Sequence, residues 1–95
     1  YLDNDQRGVA PTLFAVLSQC RERLTAGETD HRALERDAEQ RLESAGFATD
    51  YVAIRDAASL GQVTAETREI AVLGAASLGN TRLIDNVTLH IEPSR

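Results

Sequence analysis

The chain has 95 residues, a formal net charge of −5 at pH 7 and a single cysteine, Cys20. The acidic balance argues against a protein that binds the phosphate backbone of nucleic acids, and one cysteine forms neither an intrachain disulfide nor a cysteine-ligated metal site. No apolar run is long enough for a signal sequence or a membrane span. The length suits one small domain over residues 1–95, and we expect a cytoplasmic protein that binds neither nucleic acid nor membrane.

The first predicted element is a helix from about Asn4 to Ala26, with Asp3 as its N-cap. Pro11 cannot donate a backbone hydrogen bond to the carbonyl four residues earlier, which predicts a kink near Arg7–Ala10 or a short opening turn before the main helix. Gly27 should end the helix. The apolar residues recur at helical spacing and form one stripe: Val9, Leu13, Val16, Leu17, Cys20 and Leu24.

The second predicted helix runs from about His31 to Ala45, between the N-cap Asp30 and the C-terminal stop Gly46. The dense charge between Glu35 and Glu43 is interpreted as a solvated face with i,i+4 pairs such as Asp37–Arg41. The short link to the first helix predicts a two-helix hairpin. A narrower apolar stripe faces the core: Leu34, Ala38, Leu42 and Ala45.

After Gly46 the apolar period changes from that of a helix to that of a strand. Strands are predicted at about Thr49–Arg55, Arg68–Leu78 and Thr81–Ile91, with at most one helical turn, at Ala57–Leu60, in the connection between the first two. The second strand is apolar on both faces, which is typical of a central strand. We therefore predict an α+β fold, in which a two-helix hairpin packs on a three-stranded antiparallel sheet of order 1-2-3.

The pair Gly79-Asn80 predicts a two-residue hairpin turn, and this turn fixes the register of the last two strands. The face that we expect the helices to cover pairs Leu78 with Thr81, Ala76 with Leu83, Gly74 with Asp85, Val72 with Val87 and Ile70 with Leu89. The other face pairs Ser77 with Arg82, Ala75 with Ile84, Leu73 with Asn86 and Glu69 with His90. Tyr51 and Ala53 also lie on this second face if the side chains of the first strand alternate in phase with those of the second strand.

Asp85 is the most suggestive ionisable residue, because the register places it on the covered face. A carboxylate there needs a partner. It is either a catalytic or ligand-binding acid, or a structural acid tied to turn amides, to Arg55 or to Arg82. We favour the structural interpretation, because no base, nucleophile or phosphate-binding loop accompanies it.

The remaining candidates have simpler explanations. His31 lies in the first turn of a helix and His90 faces Glu69 across the hairpin, so neither histidine is expected to be catalytic. Cys20 lies on the apolar stripe of the first helix and is expected to be a small core residue. We assign no catalytic, cofactor-binding or metal-ligating residue in this chain.

Several segments in fixed order resemble the C-terminal domain of the pantoate–β-alanine ligase (pantothenate synthetase) family. Each segment is weakly diagnostic alone, but their order and spacing together are specific. They are Tyr1-Leu2, Ala10-Pro11-x-Leu13, Ala26-Gly27-Glu28-x-Asp30, Gly46-Phe47, Asp50 to Asp56 with Ala57, and Leu78-Gly79 through Asn86.

The resemblance implies an enzyme that adenylates pantoate with ATP and Mg²⁺ and then condenses the pantoyl-adenylate with β-alanine. It also implies a homodimer, and an N-terminal nucleotide-binding domain that carries the ATP and pantoate sites. On this view the chain is the smaller C-terminal lid, inactive and without a cofactor of its own. A start at Tyr1, without Met, favours a piece of a longer protein. The alternative is a free-standing, non-catalytic interaction module with an exposed sheet face.

Overall fold

The computed structural model describes residues 11–91. In chain order it contains α1 (Pro11–Thr25), α2 (His31–Ser44), β1 (Ala48–Asp56), β2 (Glu69–Leu78) and β3 (Thr81–His90). The three strands form one antiparallel sheet in the order β1-β2-β3. The predicted α+β class, helical hairpin and strand order are therefore confirmed.

The described part of the first helix agrees with the predicted apolar stripe. Its residues Leu13, Val16, Leu17, Cys20 and Leu24 are all buried. The predicted N-cap Asp3, the start of the helix at Asn4, the kink before Pro11 and the stripe residue Val9 lie outside the described residues.

Both helices end as their glycines predict. Gly27 and Gly46 have φ angles of +104° and +103°, which L-residues with a side chain rarely adopt. In each case the residue after the glycine donates its N–H to the carbonyl five residues earlier, at 3.1 Å and 3.0 Å. These bonds satisfy carbonyls that the helix leaves unpaired at its end. At the start of α2, the Asp30 side chain accepts the N–H of Ala33 at 3.1 Å, which confirms the predicted N-cap.

The hairpin between β2 and β3 has the predicted register throughout, beginning with Leu78 opposite Thr81. Gly79, the first residue of the turn, has a φ of +62°, whereas the φ of Asn80, the second, is not positive. A positive φ at the first turn position alone is the pattern of a type II′ turn, whose twist matches that of the strands.

The helices cover one face of the sheet, and their apolar stripes supply half of the core. The close approach of α1 to β2 explains Gly74, since a Cβ there would lie 3.0 Å from Leu17 Cδ2 and 3.2 Å from Leu13 Cδ1. The buried residues from the strands and from the start of the sheet complete this core: Phe47, Val52, Ile54, Ile70, Val72, Ala76, Leu78, Val87 and Leu89. Neither described helix is long and apolar enough to span a bilayer.

Candidate functional site on the uncovered sheet face

The uncovered face of the sheet carries a row of apolar side chains that no described helix covers. Tyr51 of β1 lies opposite Ala75 of β2, which in turn lies opposite Ile84 of β3. Ile84 is 65% exposed and Tyr51 is 40% exposed, whereas the small Ala75 between them is buried. Half-buried Leu73 lies in the next row, opposite Ala53. The predicted phase of the first strand is thus confirmed.

An ion pair borders this apolar row near the hairpin turn. Arg82 Nε donates to Asp50 Oδ2 at 2.8 Å, and each side chain is about half exposed. The register of β1 against β2 shifts between Thr49 and Tyr51, and Asp50 is the extra residue of this irregularity. A bulge of this kind re-aims the side chain that it carries. It allows a residue of β1 to contact a residue of β3 across the central strand.

The structural interpretation of Asp85 named backbone amides, Arg55 or Arg82 as its partners; the two arginines are wrong, and a backbone amide is the partner found. Asp85 does lie opposite Gly74, but it is half-buried. Arg82 pairs with Asp50 instead, and Arg55 contacts Glu35 with its Nη1 3.5 Å from Glu35 Oε2.

The acceptor role of Asp85 is local. Its Oδ1 accepts the backbone N–H of the next residue, Asn86, at 2.8 Å. The register places Arg82 on the opposite face from Asp85, and the bulge in β1 brings Asp50 to it, a contact that has no signal within the hairpin.

A second polar cluster lies where β1 ends. Asp56 Oδ1 accepts the N–H groups of Ala58 at 2.8 Å and Ser59 at 3.1 Å, and Asp56 Oδ2 accepts the hydroxyl of Thr67 at 2.8 Å. Thr67 is only 2% exposed, and its hydroxyl also accepts the N–H of Thr64 at 2.9 Å. These hydrogen bonds, the one from Thr67 first and those from the Ser59 and Ala58 amides next, hold the pKa of Asp56 below its ordinary value.

This cluster organises the connection between β1 and β2. A turn rather than a helix follows Asp56, closed by a 2.8 Å hydrogen bond from the N–H of Leu60 to the carbonyl of Asp56. Leu60 has a φ of +61° and an exposed side chain. The sequence prediction placed at most one helical turn here and missed the Asp56–Thr67 bond, because an eleven-residue separation has no periodic signal.

A shallow cleft of about 190 Å³ lies between the start of α2, the end of β1 and this connection. It is lined by basic and polar side chains together with two apolar ones: His31, Arg32, Glu35, Ile54, Arg55, Gln62 and Val63. Among residues 11–91, no three His, Cys, Asp or Glu side chains are grouped as a metal site requires. The cleft thus combines two arginines and a histidine with one carboxylate, that of Glu35, which contacts Arg55.

The remaining candidate residues occupy the predicted positions. His90 lies opposite Glu69, both are exposed, and the described residues include no hydrogen bond between their side chains. Cys20 is buried in the core, its Sγ lies 3.8 Å from the carbonyl oxygen of Leu34, and burial raises the pKa of the thiol. A thiol in this environment is inert.

The fold and the surface together define a small α+β domain with one packed sheet face and one uncovered sheet face that carries an apolar row and an ion pair. Residues 1–88 match the family model described as pantoate-beta-alanine ligase, and the chain belongs to this family. The chain is 49% identical over 89 residues to the pantothenate synthetase of Pseudomonas savastanoi pv. phaseolicola, covering 94% of the chain and 31% of that enzyme.

Two further relatives agree with this assignment. The pantothenate synthetase of Pseudomonas aeruginosa UCBPP-PA14 is 46% identical over 92 residues, which are 97% of the chain and 32% of the enzyme. That of Laribacter hongkongensis is 47% identical over 89 residues, which are 94% of the chain and 32% of the enzyme. The chain thus spans about a third of the length of the curated relatives it matches. The predicted family resemblance is confirmed.

Proposed function

We propose that this chain is the C-terminal lid domain of an enzyme that makes pantothenate from pantoate and β-alanine. In this reaction the carboxylate of pantoate attacks ATP to give pantoyl-adenylate and diphosphate, and the amine of β-alanine then displaces AMP to form the amide. The observation that carries the proposal is the family match over residues 1–88, together with a chain that spans about a third of each relative.

The proposal assigns no reacting residue to this chain. ATP and Mg²⁺ are assigned to the rest of the enzyme, because in this family the ATP-binding and pantoate-binding motifs belong to the N-terminal domain. The domain acts by closing over the substrates. Closure excludes water, which would otherwise hydrolyse the reactive acyl-adenylate.

The uncovered sheet face is proposed as the surface that meets the nucleotide-binding domain. The opposite face is already packed against α1 and α2, whereas this face exposes the large apolar side chains of Tyr51 and Ile84. Exposed apolar patches with a polar rim often mark interfaces. Here Tyr51, Leu73 and Ile84 supply the patch and the Arg82–Asp50 pair supplies the rim.

The remaining features of the proposal come from the family. The complete enzyme is expected to be a cytoplasmic homodimer that uses small-molecule substrates. The family match favours this enzyme over the free-standing interaction module, because the match extends over nearly the whole chain rather than over one exposed surface.

A chimera tests the proposal directly. This chain replaces the matching third of the Pseudomonas aeruginosa enzyme, and the formation of pantothenate and AMP is measured. The chimera should be active, and the same enzyme truncated without any replacement should not. An inactive chimera that folds and still binds ATP would contradict the assignment of the chain to this reaction.

The isolated chain provides the complementary measurement. It should form no pantothenate and should bind ATP more weakly than about 1 mM in a calorimetric titration. Tighter binding would contradict the assignment of the nucleotide contacts to the rest of the enzyme.

A further inference from the structure

Two glutamates of α2 bind the edge of β1 that no described strand pairs with. Among the described strands β1 pairs with β2 alone, so every second amide of β1 points away from β2. Glu35 Oε2 accepts the N–H of Ile54 at 2.8 Å, and Glu39 Oε2 accepts the N–H of Val52 at 3.4 Å. Two consecutive outward amides of the edge strand are therefore occupied by side chains.

The spacing of the two glutamates matches that of the two amides. Residues four apart on a helix are separated by about 6 Å along its axis, because each residue rises about 1.5 Å. Residues two apart on a strand are separated by about 6.6 Å. A helix beside the edge can thus hold two consecutive outward amides with an i,i+4 pair of carboxylates, as Glu35 and Glu39 do.

The backbone is the main partner of these carboxylates. Glu35 also contacts Arg55, but the 3.5 Å separation of Nη1 and Oε2 is longer than the 2.8 Å hydrogen bond to the Ile54 amide. The described residues include no ion pair of Glu39. Both glutamates are half-buried although they lie on the charged side of the helix.

We propose that Glu35 and Glu39 close the edge of β1 against pairing with a strand of a second copy of this chain. A row of unpaired amides at a sheet edge is a template for another strand, and proteins commonly block such edges. The opposite edge carries a related feature, because Asp85 accepts the amide of its own neighbour Asn86 on β3. This role is separate from the proposed ligase function, which uses the uncovered face.

The test compares three double variants of the 95-residue chain with the parent. Glu35→Ala with Glu39→Ala removes both acceptors, whereas Glu35→Gln with Glu39→Gln keeps an oxygen that can accept the same amides. Glu22→Ala with Glu43→Ala is the matched control, because it removes the same charge from two exposed glutamates. Hydrogen exchange of individual amides and sedimentation velocity over a range of concentrations are measured for all four chains.

The alanine pair should make the Val52 and Ile54 amides exchange about tenfold faster or more, with no comparable change at Ala53, whose amide faces β2. Its mass should also rise with concentration more steeply than that of the control, and the glutamine pair should behave like the parent. Association through the uncovered face is common to all four chains, so a difference in mass between them reports on pairing at the β1 edge alone.

Two results would overturn the proposal. One is an alanine pair that is folded yet matches the control in exchange and in mass. The other needs no variant: in the parent chain, Val52 and Ile54 amides that exchange as freely as amides of an unstructured peptide would show that the edge is open. This second readout decides the matter if the alanine pair fails to fold.

Discussion

The two faces of the sheet differ in what surrounds their side chains, although both are built from the same three strands. On the covered face, Val72 is fully buried beneath the helices. On the uncovered face, Ile84 remains 65% exposed beside the Arg82–Asp50 pair. The difference indicates that the covered face holds the domain together, whereas the uncovered face leaves apolar side chains exposed among the described residues.

The largest effect is expected where the covered face meets α1. Leu17 is fully buried and contacts the sheet next to Gly74, so Leu17→Ala should lower the free energy of unfolding by about 2–5 kcal/mol. Phe14 lies on the same helix but is 50% exposed, and Phe14→Ala is the control. Urea denaturation followed by circular dichroism measures both. Equal losses for the two variants would contradict the assignment of α1's buried stripe to the core.

The connection between β1 and β2 belongs to neither face and depends on polar contacts. Thr67→Val keeps the shape of the side chain but removes the hydroxyl that joins Asp56 to the amide of Thr64. Because Thr67 is buried, the loss should be about 1–3 kcal/mol in the free energy of unfolding. The same substitution at the exposed Thr64 should cost less, and the ratio of the two losses in urea denaturation checks this expectation.

Asp56 makes the stability contributed by the same connection depend on pH. Its folded-state pKa is lowered by the hydrogen bonds from Thr67, Ser59 and Ala58, so its stabilising contribution is present above the unfolded-state pKa. The contribution is lost as the pH falls through the lowered folded-state value. The stability difference between the parent and Asp56→Asn should therefore be largest near neutral pH and should shrink in acid. A difference that stays constant from neutral pH into acid would contradict this account.

The smallest effect on stability is expected on the uncovered face. Ile84→Glu places a charge at a side chain that is 65% exposed and that no described helix covers, so the free energy of unfolding should change by roughly 0.5 kcal/mol. The same variant should abolish concentration-dependent self-association of the isolated chain, which sedimentation velocity detects. A parent chain that remains an ideal monomer at high concentration would contradict the expectation that the uncovered face mediates self-association.

The sequence was sufficient for those features that nearby residues decide. The helix stops at Gly27 and Gly46 follow from local backbone chemistry, and the whole β2–β3 register follows from the Gly79-Asn80 turn. Strand order followed from the apolar character of β2 on both faces.

The contacts that were missed join residues far apart in the chain. The Arg82–Asp50 pair needs the bulge in β1, and the bond from the Ile54 amide to Glu35 needs the packing of α2 along the edge. The charged residues of α2 were interpreted as a solvated face. That interpretation is confirmed for the Asp37–Arg41 pair, at 2.9 Å, and is wrong for Glu35 and Glu39. Charge alone does not tell a solvated carboxylate from one that binds an edge amide.

The most direct test of the division between the two faces is an activity measurement in the chimera with the Pseudomonas aeruginosa enzyme. Ile84→Glu within the chimera should strongly reduce pantothenate formation while leaving the stability of the isolated domain nearly unchanged. Glu43→Ala, on the exposed side of α2, should leave the rate of pantothenate formation unaltered. Full activity of the Ile84→Glu chimera would contradict the proposal that the uncovered face meets the nucleotide-binding domain.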